Sequence, residues 1–152
     1  MNIGQEFLEK TKYQHLTESA QKRGVPQPPL ELPLPENITR ITLPDPAGIK
    51  IPSMDLRQAI EQRSSLRRFS QTELSLEELS YLLWLTQGVK NVTDRPATER
   101  TVPSAGSRHA YETYILVNRV GGLEPGLYRY AALKHFIYLV NREAGINEKI
   151  TT

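Results

Sequence analysis

The chain has 152 residues, with 19 basic and 17 acidic side chains, a formal net charge of +2, no cysteine and an apolar fraction of 38%. That length fits one domain, and the composition is that of a water-soluble protein without an apolar run near the ~18 residues that a membrane span requires. The even charge balance excludes a whole-surface field that would favour nucleic acid, and the absence of cysteine excludes disulfides, thiolate catalysis and cysteine-ligated metal centres.

The amino-terminal residues predict a helical arm. Residues 2–16 place Ile3, Phe7 and Leu8 on one side of a helix, a thin apolar stripe that needs another surface to pack against. The start of the chain, MNIGQEFLEK, lacks the basic-then-apolar order of a secretory signal. Together with the absence of cysteine, this predicts a cytoplasmic protein.

A proline-rich segment, called the strap below, follows at residues 25–52 and contains eight of the eleven prolines. Prolines remove backbone donors and favour extended chain, so a flexible linker is one interpretation. The regular recurrence of leucine and isoleucine instead favours a strap that lies over another surface. We therefore divide the chain into an arm and strap at residues 1–52 and a domain at residues 53–152.

Two helices are predicted at the start of this domain. Ser53 is a candidate cap for a helix over MDLRQAIEQR, whose inward stripe is formed by Leu56, Ala59, Ile60 and Arg63. Ser75 and Glu78 predict a capping box for a second helix, which Gly88 ends. Its leucines and Trp84 predict burial on more than one side.

Three strands are predicted after a polar loop, VKNVTDRPATER. They cover residues 113–117, 126–130 and 136–140. Their short apolar runs predict a sheet that is covered on both faces, as when helices sandwich it.

The segment RSSLRRFS, residues 63–70, gathers three arginines and three serines. Arginine forks bind phosphate oxygens through paired, charge-assisted hydrogen bonds, and in extended chain Arg63, Ser65 and Arg67 project to one side. A phosphomonoester site is one interpretation. The alternatives are a solvated loop whose arginines pair with Glu73 or Glu77, and a basophilic kinase motif in RRFS.

The second candidate segment is PSAGSRHAYETY, which begins at Pro103. Its small side chains predict a tight turn whose backbone amides approach a flat ligand closely, and Ser104 and Ser107 add hydroxyl groups. An ordinary loop before a strand is the alternative. His109 is either a proton donor or a structural hydrogen-bonding group. The spacing of the three histidines predicts no metal site, and no hydrolase triad or phosphate loop is present.

Four blocks in fixed order resemble the nitroreductase superfamily, specifically its SagB-type dehydrogenase branch. The blocks are Arg63-x-Ser65-x-Arg67-x-Phe69, LSLEELSYLLWLTQG, VPSAGSRHAYETY and VGGLEPGLYRY. FLEKTKY and the strap also look like that branch. The resemblance implies an α+β nitroreductase-like fold with a central, mostly antiparallel sheet flanked by helices. It also implies an FMN-dependent oxidoreductase that transfers hydride between NAD(P)H, flavin and a small-molecule or peptide substrate.

The resemblance also implies roles for two groups of residues. Arg63, Ser65 and Arg67 would hold the phosphate and ribityl end of FMN. A turn would lie against the isoalloxazine ring, and in this family the ring is commonly that of the flavin bound by the other subunit of a homodimer. The residues of this turn would be Pro103, Ser104, Ala105, Gly106 and Ser107. Many relatives have asparagine in place of Ser107 and proline in place of Ala110, and these departures affect the ring contacts. No catalytic residue is assigned.

In that family the catalytic domain continues past the third strand, so residues 53–152 correspond to its first half. The apolar faces of such a half-domain need cover from a second chain or from self-association. The alternative function is a truncated or split, non-catalytic module that acts through these contacts. The sequence leaves open the electron acceptor, the choice between NADH and NADPH, and the activity of this chain alone.

Overall fold

A four-stranded antiparallel sheet forms the centre of the computed structural model, which describes residues 2–143 and 145–151. The strands are β1 Arg40–Thr42, β2 Val89–Val92, β3 Thr98–Arg100, β4 Thr113–Val117, β5 Gly126–Ala131 and β6 Phe136–Asn141. The helices are α1 Ile3–Lys10, α2 Leu56–Gln62, α3 Leu76–Gln87 and α4 Ile146–Thr151, with short 3-10 turns at Tyr13–His15, Pro46–Gly48 and Ala105–Ser107. The chain is therefore an α+β protein.

The central sheet has the order β1-β6-β5-β4, and all of its pairs are antiparallel. The three predicted strands are confirmed, and β5 and β6 are each one residue longer than predicted. Tyr130 lies opposite Ile137 in this register, which places their side chains on the same face. That face is the one covered by α3.

The predicted polar loop over VKNVTDRPATER is wrong, because β2 and β3 form an antiparallel hairpin there. The two buried positions of β3 are Thr98 and Arg100. Since these side chains are polar, the segment carries no alternation of apolar and polar residues from which a strand is predicted.

Helix α3 packs on the central sheet through one face. Ser75 Oγ accepts a hydrogen bond from the Glu78 amide at 3.1 Å, and Glu78 Oε2 accepts one from the Ser75 amide at 2.7 Å, so the predicted capping box is confirmed. Leu79 and Leu83 are buried in the core that also contains Tyr128 and Tyr130. The predicted burial on more than one side is wrong, because other leucines of this helix point outward.

Gly88 ends α3 as predicted, but for a different physical reason. Its φ of −57° lies outside the left-handed region. A Cβ atom at this position would lie 2.4 Å from the Trp84 ring, so glycine is required for the close approach of the indole.

The strap covers the opposite face of the sheet. Leu34 and Ile38 pack against Ala131, Phe136 and Tyr138. The second half of the strap contributes β1, which pairs with β6. The strap is therefore packed on the sheet and is not a flexible linker.

A buried arginine fixes the strap to the sheet. Arg129 Nη2 donates to the Leu32 carbonyl at 2.7 Å and to Glu112 Oε2 at 2.9 Å, and Nη1 donates to the Pro33 carbonyl at 3.3 Å. Glu112 Oε1 accepts a hydrogen bond from the Leu32 amide at 2.6 Å. These four residues form the strap clamp.

Helix α2 differs from its prediction. Asp55, and not Ser53, is its N-cap, because the Asp55 carboxylate accepts hydrogen bonds from the Arg57 and Gln58 amides. The predicted inward stripe is wrong within this chain: Leu56 is 74% exposed, Ile60 is 66% exposed, and Arg63 is an exposed C-cap. The apolar side chains of α1 are exposed as well. None of the described helices has the length and apolar character needed to cross a bilayer.

Candidate functional site

The arginine segment, residues 63–70, has no regular secondary structure, and its side chains are exposed. Within the described ranges, Arg63 and Arg67 make no ion pair and no side-chain hydrogen bond, and the predicted alternative partners Glu73 and Glu77 do not contact them. Their guanidinium groups are therefore free to bind an external anion.

The carboxyl-terminal end of this segment is fixed to the turn after β4. Arg119 Nη1 donates to Gln71 Oε1 at 2.7 Å, and Nη2 donates to the Ser70 carbonyl at 3.3 Å. The Leu74 amide donates to the Arg119 carbonyl at 3.2 Å. An apolar cavity of about 460 Å³ lies between Phe69, Leu79 and β4. Arg63 and Arg67 therefore lie on the amino-terminal side of this attachment.

The Pro103–Ser107 segment forms the tight turn that the sequence predicts. Gly106 and Ser107 have φ of 63° and 55°, in the left-handed region. The Ser107 amide donates to the Ser104 carbonyl at 3.1 Å, and the His109 amide donates to Ser104 Oγ at 2.9 Å. Pro103 and Ala105 are exposed. The turn therefore presents small side chains at the surface, and Ser104 holds it together by accepting these two hydrogen bonds.

The structure does not join the two predicted parts of the site by direct interactions. Across the described residues, no hydrogen bond or ion pair links positions 63–67 to positions 103–107. The end of the arginine segment lines the cavity beside β4, whereas Arg108 and His109 line another cavity beneath the strap. Their roles as cofactor ligands stay predictions.

The positive charge of a buried arginine that the sequence analysis did not identify, Arg100, influences the pKa of His109. Arg100 Nε donates to Thr98 Oγ1 and Nη1 donates to Gln87 Oε1, both at 3.2 Å. Burial lowers the pKa of His109, the positive charge of Arg100 lowers it further, and an interaction with the Thr98 backbone acts in the opposite direction. The imidazole of His109 is therefore neutral near pH 7.

A second polar cluster lies between α3 and the central sheet, next to the Pro44 carbonyl. His135 Nδ1 is 2.8 Å from the Tyr130 hydroxyl, and Nε2 is 2.7 Å from Ser80 Oγ. Burial lowers the pKa of His135 and raises the pKa of Tyr130 to about 12. Ser80 is fully buried, so this cluster has the contacts of an interior network and no access for a substrate at the serine.

The donor set of the arginine segment fits the phosphate group of FMN. Two guanidinium groups that have no carboxylate partner match the charge and geometry of a phosphomonoester, and the Ser65 hydroxyl adds a further donor. Among the described residues, no group of three or more histidine, aspartate or glutamate side chains is placed to hold a metal ion.

No protein-family model matches the chain. Over 106 residues, 69% of the chain, it is 37% identical to a protein of Methanocaldococcus jannaschii named "Putative nitroreductase". The aligned part covers 49% of that protein, so the chain spans about half the length of the relative. This similarity and the α+β fold with its antiparallel sheet are consistent with a nitroreductase-like protein.

Proposed function

We propose that this chain is the FMN-binding part of a SagB-type, nitroreductase-like oxidoreductase. The observation that carries the proposal is the exposed Arg63-x-Ser65-x-Arg67 segment without a carboxylate partner in the described chain, in a sequence that is 37% identical to a protein named as a nitroreductase. FMN would supply the hydride chemistry, with NAD(P)H as electron donor and an organic molecule as acceptor.

The residues of the chain would bind and orient this cofactor. Arg63 and Arg67 would hold the phosphate by paired hydrogen bonds, and Ser65 would complete the shell around its oxygens. The Pro103–Ser107 turn would approach the flat ring with its backbone at Ala105 and Gly106, whose small side chains allow a close approach, while the Ser107 amide already donates to the Ser104 carbonyl. If the turn contacts the flavin ring bound by the other subunit of a homodimer, it needs no direct contact with the arginine segment of its own chain.

Exposed apolar residues near the arginine segment support the proposal that a second chain or a second copy completes the domain. The side chains concerned are Leu56, Ile60, Leu66 and Phe69. Contiguous apolar surface is typical of interfaces. The same observation favours the second candidate function, a non-catalytic module that acts through association.

The test is the visible spectrum of the supernatant after denaturation of the purified protein. We expect released FMN in stoichiometric amount from the native chain and its loss from Arg63→Ala with Arg67→Ala, whose affinity should fall on the order of 100-fold or more, since each charge-assisted contact contributes about 1.5–3 kcal/mol. The matched control is Arg57→Ala with Arg68→Ala. It removes the same charge, and Arg57 pairs with Glu61 at 2.9 Å.

Three outcomes separate the two functions. Flavin that is lost only from the Arg63 and Arg67 variant supports the cofactor site. Equal loss in both double variants contradicts the assignment of those two residues. A colourless native protein that associates, and that cannot be loaded with added FMN, contradicts the oxidoreductase and supports the interaction module.

A further inference from the structure

A cavity of about 360 Å³ lies between residues 19–28, where the arm joins the strap, and two arginines of the domain. We call it the basic cavity. Arg95 and Arg108 are the charged residues that line it, and no carboxylate from the described residues shares the wall with them. Its volume is within the range of small-molecule sites. The two positive charges therefore favour an anion as its ligand.

Contacts on two sides fix the side chain of Arg108 at this cavity. Its Nη2 atom donates a hydrogen bond to Gln21 Oε1 at 3.0 Å, which joins it to the wall formed by residues 19–28. A Cβ atom at Gly106 would lie 3.9 Å from its Cγ and Nε atoms, so the side chain also packs beside that turn. The other N–H groups of this guanidinium have no partner in the part of the chain that the structure describes.

Arg95 lies at the tip of the β2–β3 hairpin. The Thr93 amide donates to the Ala97 carbonyl at 3.0 Å, and the Thr93 hydroxyl donates to the Arg95 carbonyl, so this tip is closed by hydrogen bonds. The Gln27 side chain donates to the Pro96 carbonyl and connects the tip to the opposite wall. The exposed side chain of Arg95 has no ion pair or hydrogen bond within residues 2–143 and 145–151. Its guanidinium is available to a ligand.

The other polar groups of the wall supply further donors. Since Gln21 Oε1 already accepts from Arg108, the amide nitrogen of Gln21 is left as a donor. Ser19 Oγ accepts from the Lys22 amide at 3.3 Å and keeps its hydroxyl proton for a second partner. The apolar part of the wall is formed by Ala20, Val25, Pro26 and Pro28. This combination fits an oxyanion that carries an organic group.

We propose that the basic cavity binds a small organic phosphate monoester. Its oxygens accept hydrogen bonds from Arg95 and Arg108, and its carbon skeleton contacts the apolar part of the wall. A phosphate monoester carries close to two negative charges at neutral pH, which matches two guanidinium groups, whereas a carboxylate carries one. The site does not involve Arg63 or Arg67 and therefore goes beyond the proposed function.

The test is a titration of the full chain, as purified, with phenyl phosphate, inorganic phosphate and benzoate, followed by backbone amide chemical shifts. We expect shift changes at Ala20 and Gln21, and the tightest binding for phenyl phosphate. Arg95→Gln should weaken this binding on the order of 10-fold, which corresponds to one charge-assisted contact. Because Arg95 makes no side-chain contact in the described fold, this variant should fold. Arg108→Lys keeps the charge but loses the paired donors, and should also weaken binding.

Lys22→Gln with Arg23→Gln is the matched control for Arg95→Gln with Arg108→Gln. It removes the same charge from residues that lie beside the cavity and do not line it. It should change the affinity by less than about 3-fold, since exposed charges away from the ligand are screened by salt. Equal weakening by both pairs would indicate a diffuse basic surface and overturn the proposal. Benzoate or inorganic phosphate that binds as tightly as phenyl phosphate would overturn it too.

Arg63→Gln with Arg67→Gln separates this site from the proposed FMN site. The shift changes at Ala20 and Gln21 should persist in this variant, and their loss would overturn the proposal. The FMN content of each preparation is measured separately. A native chain that cannot be loaded with FMN contradicts the proposed function, whereas the phenyl phosphate site does not depend on that result.

Discussion

His135 is held in one protonation state by its neighbours. Ser80 Oγ donates to the Pro44 carbonyl at 2.6 Å, which lies 3.2 Å from His135 Nε2. With a proton on Nε2 directed at Ser80 and the Tyr130 hydroxyl donating to Nδ1, every group has a partner. A second proton, on Nδ1, would face the Tyr130 hydroxyl, which already donates its own proton to that nitrogen. The neutral form is therefore the one that the interior accommodates.

We expect this histidine to make the protein sensitive to acid. Burial lowers the pKa of His135 below its unfolded value of 6.5, and the Pro44 backbone and the charge of Asp45 oppose this shift only in part. The unfolded state therefore takes up the proton first as the pH falls. The free energy of unfolding should be constant above pH 6.5 and should decrease as the pH falls through the lowered pKa. Thermal melts between pH 8 and pH 5 measure this slope.

The slope should become smaller in His135→Asn, because asparagine tolerates the residue's φ of 49° and does not titrate. It should not vanish, since the pKa of His109 is lowered too. His15→Asn, on the exposed arm, is the matched control. An identical slope in native protein and His135→Asn would show that the buried network does not carry the effect.

The sequence predicts a residue's partners only when they lie close along the chain. Ser75 and Glu78 are three positions apart, so their capping box is visible in the sequence. Arg129 bonds to Leu32, 97 positions away, and Arg119 bonds to Gln71, 48 positions away. Those contacts depend on the folded chain, and a lone arginine in a strand gives no signal for them.

At the scale of elements, one buried side chain, that of Arg129, joins the strap to the sheet by hydrogen bonds. The Arg129 side chain is 3% exposed, and Glu112 and the carbonyls of Leu32 and Pro33 surround it. Arg129→Met should lower the free energy of unfolding by about 3–5 kcal/mol, because it leaves a half-buried carboxylate and two carbonyls without their donor. Urea denaturation measures this change.

Hydrogen exchange then locates the effect of Arg129→Met. We expect the Leu32 amide to lose protection more than amides of α3, since the clamp holds the strap and not the helix. Arg142→Met, at an exposed position, is the control and should change stability by less than about 0.5 kcal/mol. A similarly small change for Arg129→Met would mean that Leu34 and Ile38 alone keep the strap in place.

Helices and strands were predictable where the apolar pattern of the sequence agrees with the packing in the folded chain. The strands β4, β5 and β6 have apolar runs and a sheet to join. Helix α2 has the same kind of stripe, yet Leu56 and Ile60 are exposed, because periodicity indicates a face and not the surface that covers it. The candidate site shows the same limit. The turn at Pro103–Ser107 was predicted from its small residues, whereas the burial of Arg100 was not.

For the whole molecule, burial is uneven. Helix α3 covers one face of the central sheet and the strap covers the other, so the described core is closed around β5 and β6. Helix α2 and the arginine segment lie outside this core, with Leu66 and Phe69 exposed. The relative is about twice as long as the aligned part. Association with further protein is the proposal that best accounts for an apolar surface of this kind.

We expect the chain to self-associate through the α2 surface when it is purified alone. Leu56→Gln with Ile60→Gln removes two exposed apolar side chains without adding charge, and should shift the mass measured by light scattering towards the monomer over a concentration series. Ile3→Gln with Phe7→Gln makes the same kind of change on α1 and should leave the mass unaltered. Because Leu56 and Ile60 lie outside the described core clusters, neither pair should change the melting temperature by more than a few degrees. A native chain that stays monomeric at every concentration would contradict self-association, and the α2 surface would then be left for a different polypeptide.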